Sequence, residues 1–290
     1  MKKPLLDVIF ASDKRNSALL LLQDGPKEME FILGALNTTR QSLLPQIRIL
    51  EEHQLVSKID DSYMLTKIGE LIVEKMVPLS NTIEVFDSDI DYWGSRKLDF
   101  IPSYLLQQIK ELGKCDTVNP PFGEIHYLLT RFQEASTRSK SLFGVTTFFH
   151  PNFQILFSEL IQNKVSIYTI ITPELHDKLV TQHHEEFKGL LENYLFHAYE
   201  YPGQLEFLSF AFNDNYLLLS LLNKEGDFDN KHHICSSKSA LDWGKELFEY
   251  YLKDSTPITE LQQYSSQENI FNYKDTCKRK TILNQIKKKG

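Results

Sequence analysis

The sequence predicts two units of different class, an α+β N-terminal unit followed by an α/β C-terminal unit. Three observations carry this reading. Short helical patterns fill residues 5–53 before any strand pattern appears. From about residue 139 onward, strand and helix patterns alternate, which is the order of a layered α/β domain. Between them lies a stretch that is helical around 101–112 and then loop-like (KCDTVNPPFGE).

Residues 5–11 (LLDVIFA) and 15–22 (RNSALLLL) have helical patterns, and Asp24-Gly25 ends the second. Pro26 suits the first turn of a third short helix, 27–36 (KEMEFILGAL). Asn37 and Thr38 supply a turn and a cap, because their side chains accept bonds from free amides. A helix over 39–53 follows, with Leu43, Ile47 and Leu50 at i, i+4 and i+7 toward the core. Pro45 removes one backbone donor early in that helix. Leu55–Ile59, the turn Asp60-Asp61-Ser62 and Tyr63–Thr66 form a hairpin. Helical pattern returns from Lys67 to about Tyr92, with Pro78 expected to kink or break it. This succession of helices and a hairpin is that of a winged helix-turn-helix, with the hairpin as the wing.

That succession explains an odd composition at the head of helix 39–53. Thr39, Arg40, Gln41, Ser42, Leu44 and Arg48 lie away from its core face, toward its N-terminal end. A recognition helix contacts base edges with that end. Arginine pairs with guanine, glutamine with adenine, and Ser or Thr with base or phosphate. Lys58 on the wing joins them as a DNA-binding candidate. The competing reading is a helical bundle whose polar face only meets water.

In the C-terminal unit, 139–148, 164–172, 194–201, 205–212 and 216–222 read as strands, the last two joined at Asn213-Asp214-Asn215. Helices are expected over 153–163, 173–193 and 239–254. The predicted divisions are 1–92 (winged helix with an extended last helix), 93–124 (connector), 125–255 (α/β regulatory unit) and 256–290 (basic tail). From 268 onward that tail carries seven basic residues against Glu268 and Asp275 and lacks a strong apolar pattern after Phe271, so a solvated, partly disordered end is expected.

Composition bounds the function. The 290-residue chain is 41% hydrophobic, enough for a real core. Its longest apolar runs, such as LLLL at 19–22, are too short to cross a bilayer. The start MKKPLLDVIFASDK resembles a signal peptide, but Asp7 and Asp13 interrupt it, so it reads as the first helix of the mature protein. A net charge of −7 argues against coating nucleic acid by electrostatics alone. Cys115, Cys235 and Cys277 are widely separated and form no CxxC pair, which suggests reduced thiols and a cytoplasmic protein. A redox role for Cys235 would need a lowered thiol pKa.

Three stretches carry a family resemblance: SLLPQIRILEEHQLV, GVTTFFHPNFQILFSELIQNKVSIYTIITPEL (144–175) and above all GDFDNKHHICSSKSALDWGKELFEYYLKDS (226–255). They resemble archaeal transcriptional regulators of methanogens that pair an N-terminal winged helix with a C-terminal methanogenesis-regulatory domain. The resemblance covers about residues 5–260. It implies a sequence-specific DNA-binding regulator with a sensory domain, linked to genes of methane metabolism and cell form. The order of C-terminal elements also resembles one half of the phospholipase-D-like fold, which archaeal sugar-sensing regulators use without catalysis.

Catalysis on that fold needs a His-x-Lys-x4-Asp run on the strand near 205–215. LEFLSFAFNDN offers Asp214 and neither histidine nor lysine. GxSxG, Walker-type and dinucleotide glycine patterns are missing from the sequence. His183-His184 and His232-His233 with Cys235 match no zinc spacing and read as surface histidines. Trp93 and Trp243 read as core. Ligands of α/β sheets lie beyond the carboxyl ends of parallel strands, which singles out His150 and Thr172 as an effector-pocket rim. The expected protein is therefore a homodimeric, double-stranded-DNA-binding transcriptional regulator. It would have an unidentified small-molecule effector, no cofactor, no metal, no membrane and no catalytic residues. The alternative is an enzyme, hydrolase or phosphodiesterase-like, using an accessory winged helix for protein contacts. A third reading, a winged helix that binds only protein, rests on the charge of residues 1–80, ten basic against eleven acidic.

Overall fold

The computed structural model describes residues 3–119 and 130–259. The chain opens with α1 (Leu5–Phe10), α2 (Asp13–Leu21), β1 (Lys27–Glu28), α3 (Met29–Ala35) and α4 (Arg40–Glu52). The wing strands β2 (Val56–Ile59) and β3 (Ser62–Leu65) follow, then α5 (Lys67–Asp87), α6 (Ile90–Ser95), α7 (Ser103–Leu106), a 3-10 turn (Ile109–Leu112) and β4 (Cys115–Val118). Next come α8 (Thr130–Thr137), β5 (Ser141–Thr146), α9 (Phe153–Gln162), β6 (Ser166–Ile171), α10 (Pro173–Gln182), α11 (His184–Leu191) and β7 (Phe196–Glu200). The described chain ends with β8 (Ser209–Phe212), β9 (Leu217–Ser220), β10 (His232–Cys235), α12 (Lys238–Lys253) and β11 (Thr256–Ile258).

These elements fall into two compact units, one of residues 1–125 with 215–247, the other of 126–214 with 248–290. The first unit therefore takes in a stretch that the sequence reading had grouped with the α/β part.

In the first unit the helical period places Leu43, Ile47 and Leu50 of α4 fully inside, against Val8, Ala18, Leu19, Ile32 and Val73. Pro45 sits on the exposed side of α4, where its missing N–H disturbs one bond and no packing. Lys27 and Glu28, expected to be helical, instead form β1 and pair with Tyr63 and Ser62, which makes the wing a three-stranded sheet in the order β1-β3-β2. The pairing partner lies far along the chain, so local pattern could not indicate it.

Helix α5 runs through Pro78 without a break. Buried Val73 and Met76 precede the proline and buried Val85 follows it, so packing holds both halves. The expected helix to Tyr92 instead stops at Asp87 and restarts as α6, whose N-cap Asp89 accepts from the Tyr92 N–H at 2.9 Å.

The rest of this unit is where sequence reading did least well. The loop-like stretch after 112 contains β4, and the stretch whose paired histidines His232 and His233 read as surface groups contains β10. Both pair antiparallel, with Cys235 opposite Cys115, and β10 also pairs with β9. Cys115 and Cys235 are joined as a disulfide across 120 residues, which corrects the expectation of reduced, unpaired thiols. Cys277 and the basic tail lie outside the described residues.

The second unit carries the sheet β11-β7-β6-β5-β8. Its three central strands are parallel and the flanking ones antiparallel. β5-α9-β6 and β6-α10-α11-β7 are the two βαβ crossovers. Helices α9 to α11 bury Phe153, Leu160, Leu175, Leu179, Phe187 and Leu190 against Ile167, Ile171, Phe196 and Ala198 of the sheet. On the opposite face Phe212, Phe143, Tyr168 and His197 stack in register, ring centroids 4.7–4.8 Å apart, from β8 through β7. The single helix expected over 173–193 is interrupted at His183, so α10 and α11 are separate.

One close approach fixes how α5 leaves the wing. A Cβ on Gly69 would lie 2.1 Å from the Leu55 carbonyl oxygen. Gly69→Ala is therefore expected to lower the urea midpoint, although alanine improves helix propensity by about 1 kcal/mol. A raised midpoint would mean that the Leu55 backbone can step aside.

Candidate functional site

The exposed side of α4 forms the first candidate surface. Thr39 caps the helix through its backbone carbonyl, which accepts from the Ser42 and Leu43 amides. Thr39, Arg40, Gln41 and Arg48 are exposed. Ser42 is half-buried and accepts from the Lys14 ammonium. Leu44 packs against the edge of the core, so its contribution is apolar contact. Lys58 stands on β2, its ammonium 3.7 Å from the Asp61 carboxylate and 5.8 Å from the Tyr63 ring centre.

Two features of this surface were not legible beforehand. Arg40 forms an exposed ion pair with Glu30 at 2.5 Å. An exposed pair of this kind is worth about 0–1 kcal/mol, so Arg40 can exchange its partner cheaply. Arg15 is buried and braces α4 from behind. Its guanidinium donates to Gln46 Oε1 at 2.7 Å, to the Asp7 carbonyl at 3.1 Å and to the Val8 carbonyl. One buried cation thus ties the end of α1 to the middle of α4. An arginine in an apolar stretch gives no hint of this in sequence.

A second cluster lies around α6 and β10. His233 is fully buried, stacked on Tyr92 at 4.9 Å and edge-on to Trp93 at 4.8 Å, and its Nδ1 is 3.1 Å from the Thr117 hydroxyl. The Arg96 guanidinium lies 4.2 Å over the Tyr92 ring and pairs with Asp229 at 2.6 Å. His232 meets the Ser220 hydroxyl at 2.8 Å. β10 carries His233 into the interior and leaves His232 half-buried, so His233 is not the surface group that the sequence suggested. Trp93 and Trp243 are core, as expected, and Trp243 donates to the Leu105 carbonyl at 3.0 Å. No group of three or more His, Cys, Asp or Glu suited to hold a metal ion occurs among the described residues.

Burial pushes both His232 and His233 down to about 4, against the opposing pull of Asp229 on the first and of Asp89 and Asp116 on the second. Burial also acts to raise Asp89 and Asp229. The Tyr92 amide and Thr117 at Asp89, and the Arg96 guanidinium at Asp229, outweigh it and hold both below the usual carboxylate range.

The carboxyl ends of β5, β6 and β7 form a third candidate region. Thr172 is buried and uses its hydroxyl to accept from the Leu175 amide, capping α10. His150 is half-buried, and its Nδ1 accepts from the Asn152 amide at the start of α9. Each is therefore engaged at its own helix start. The same edge carries a pair that spacing could not reveal: His176 Nδ1 lies 2.6 Å from Glu200 Oε2, and His176 Nε2 is buried without a hydrogen-bond partner among the described residues.

A pH dependence follows from the depressed histidines. A histidine whose folded pKa lies below its unfolded one contributes full stability above pH 6.5, which is lost as protons bind the unfolded chain. The urea midpoint should be level above pH 6.5 and fall between 6.5 and about 4. A midpoint constant over pH 4–7 would mean that water reaches both imidazoles.

No helix among the described residues is long and apolar enough to cross a membrane. Against known proteins, residues 4–85 match the profile described as methanogenesis regulatory protein FilR1, N-terminal domain, and residues 125–254 match that of its middle domain. The methanogenesis regulatory protein FilR1 of Methanothrix harundinacea is 24% identical over 273 residues, taking in 87% of this chain. The chain spans only 58% of that relative's length. Among solved structures, TrmBL2, an archaeal chromatin protein, gives a TM-score of 0.41 at 11% identity, over 88% of this chain and 97% of that one. Nuc from Salmonella typhimurium, a phospholipase D family member, gives 0.36 at 11% identity, over 50% of this chain and 98% of that one. Likenesses this loose assign neither fold nor function. The two profiles together take in more than two thirds of the sequence, and with both its N-terminal and middle domains matched the chain belongs to the FilR1 family of methanogenesis regulatory proteins.

Proposed function

We propose that this protein is a sequence-specific, DNA-binding transcriptional regulator working inside the cell on genes of methane metabolism. The observation that carries the reading is the exposed face of α4. Thr39, Arg40, Gln41 and Arg48 stand outward on a helix whose opposite side is fully buried. The helix is backed by α2 and α3 and flanked by a three-stranded wing. Arginine and glutamine at the start of such a helix suit major-groove base edges. Ser42, Leu44 and wing Lys58 then serve as flanking contacts. Family membership supports a regulatory role, and the name of the relative supports methanogenesis as its field.

Two copies acting together suit this arrangement. Ile68, Leu71, Leu79 and Ile83 are exposed along α5, and Ile90 beyond its end is 60% exposed. A two-fold pair would cover such a stripe and set half-sites about 10 base pairs apart.

The second unit is read as a sensor, built like one half of a phospholipase-D-like fold. The strand that should carry a nucleophilic histidine and a phosphate-binding lysine reads SFAF. A ligand at the carboxyl edge of β5–β7, near His150, Thr172 and the His176–Glu200 pair, would act by favouring one arrangement of the dimer. Coupling between such a ligand and DNA is typically about 1–3 kcal/mol and reciprocal.

The test is recovery of genomic DNA with the native protein, followed by affinity measurement on the recovered sites. Arg40→Ala is expected to weaken binding to those sites by about 1–3 kcal/mol and binding to random DNA much less. Equal loss on both would assign Arg40 to phosphate. Leu79→Asp with Ile83→Asp is expected to give a monomer by light scattering, and a wild-type protein that is monomeric with and without DNA would sink the dimer.

A further inference from the structure

The disulfide stands at one end of a short ladder. Cys115 is the first residue of β4 and Cys235 the last of β10, directly opposed with a Cα–Cα distance of 4.3 Å. β4 is an edge strand of four residues whose strand partner among the described residues is β10, with the Thr117 side chain also bonded to Asp89. Both sulfurs are buried, since Cys115 is 5% and Cys235 1% exposed. An edge strand this short opens locally far more readily than the core does. Peeling of β4 is therefore the route by which a thiol can reach the bond.

The residues just before Cys115 lead to α5. The 3-10 turn Ile109–Leu112 packs on α5. Ser237 and Ser239, just after Cys235, donate to the Leu112 and Glu111 carbonyls at 3.4 and 2.7 Å. The disulfide and these two bonds clamp the turn between β10 and the start of α12. With the bond broken, only hydrogen bonds and packing hold that turn against α5.

From this geometry we infer that Cys115 and Cys235 form a redox switch that sets the order of α5 and, through it, affinity for DNA. The inference rests on the DNA-binding reading above. A protein that works on DNA inside a cell meets thiol-reducing pools, and disulfides in that setting are mostly redox-sensing or catalytic. The co-reactant is a dithiol. One of its thiolates attacks a cysteine sulfur, the S–S bond breaks, and the other cysteine leaves as a thiolate and takes a proton. The second thiol resolves the mixed disulfide. The protein ends as two thiols and the dithiol as its own disulfide. The oxidised form is the tighter DNA binder, because a pre-ordered α5 has less freedom to lose on binding.

The experiment uses the full chain carrying Cys277→Ser, equilibrated in mixtures of reduced and oxidised dithiothreitol. Maleimide mass tagging reads the pair. Amide exchange reads residues 67–87 and 115–118, and anisotropy reads DNA recovered from the genome. Reversible titration of the pair is expected, with faster exchange in both segments on reduction and a 5- to 150-fold loss of DNA affinity. A Cys115→Ser, Cys235→Ser protein should match the reduced form in every mixture. The reduced protein itself decides the matter if that variant fails to fold. A pair that stays reduced under oxidant, or equal DNA affinity of the two forms, overturns the switch and leaves the DNA reading intact. If neither form binds DNA, the proposed function falls and the control of DNA affinity falls with it; amide exchange then decides only whether the pair sets the order of α5, a difference between forms supporting that and equal exchange ending it.

Discussion

The carbonyl of Leu55 lies where the first turn of α5 must pass, and several features of the first unit follow from that crossing. Its oxygen accepts from the Thr66 amide at 3.0 Å, while the Thr66 hydroxyl donates to the Gln54 carbonyl at 2.5 Å and accepts from the Gly69 amide at 3.1 Å. Thr66 is thus strand end, helix cap and clamp at once. Only a residue without a Cβ fits the position facing Leu55. The crossing fixes the register of the wing against α4, because Leu55 also closes α4 through its own amide to the Leu50 carbonyl at 2.9 Å. It also sets the direction in which α5 departs, and hence where its exposed stripe and its contact with the 109–112 turn fall.

The cluster around α6 and β10 specifies more than it stabilises. Arg96 is wholly buried and Asp229 only partly so. Such a pair recovers in Coulomb energy little more than desolvation costs, but losing one partner strands a charge and costs about 3–5 kcal/mol. The guanidinium has one place it can sit: over Tyr92, against Asp229 and near the Leu221 carbonyl. That requirement draws the 221–229 loop and α6 together from positions more than 120 residues apart. His233 can enter the same interior because its ring stays neutral well below pH 6.5.

Much of this was legible where the physics is local. The i, i+4, i+7 apolar set of α4 and the β-branched run of β6 name their elements, and the charge and turn residues around the wing name the hairpin. The structure departs from the sequence reading where partners are distant. β1 is two residues long and exists only through β3. β10 carries HHIC, which looks polar until β4 and β9 cover it from both sides. The disulfide spans 120 residues with no spacing motif. Of the candidate site residues, the exposure of Thr39, Arg40, Gln41 and Arg48 follows from the period of one helix. Arg40–Glu30, Arg15–Gln46 and His176–Glu200 could not, because each joins two elements whose closeness is tertiary.

What reaches α4 within the first unit has α5 as its natural route. That helix packs on β3, which leads into it, on α6, which follows it, and on α2 and the 109–112 turn. Its 21 residues span about 31 Å at 1.5 Å per residue. Pro78 removes the bond that would join its position to the Glu74 carbonyl, so the two halves are coupled by one hydrogen bond fewer than in an uninterrupted helix. Continuity then depends on side-chain packing, with Val73 and Met76 before the proline and Val85 after it. A helix held this way is stiff only while both of its ends are seated. Loosening the distal seat weakens the helix at its proline, and the proximal end is where the Leu55 crossing joins α5 to α4. Along the chain Gly69, Pro78 and Cys115 are separated by 9 and then 37 positions. In the fold they are the fixed point, the weak point and the fastening of one lever.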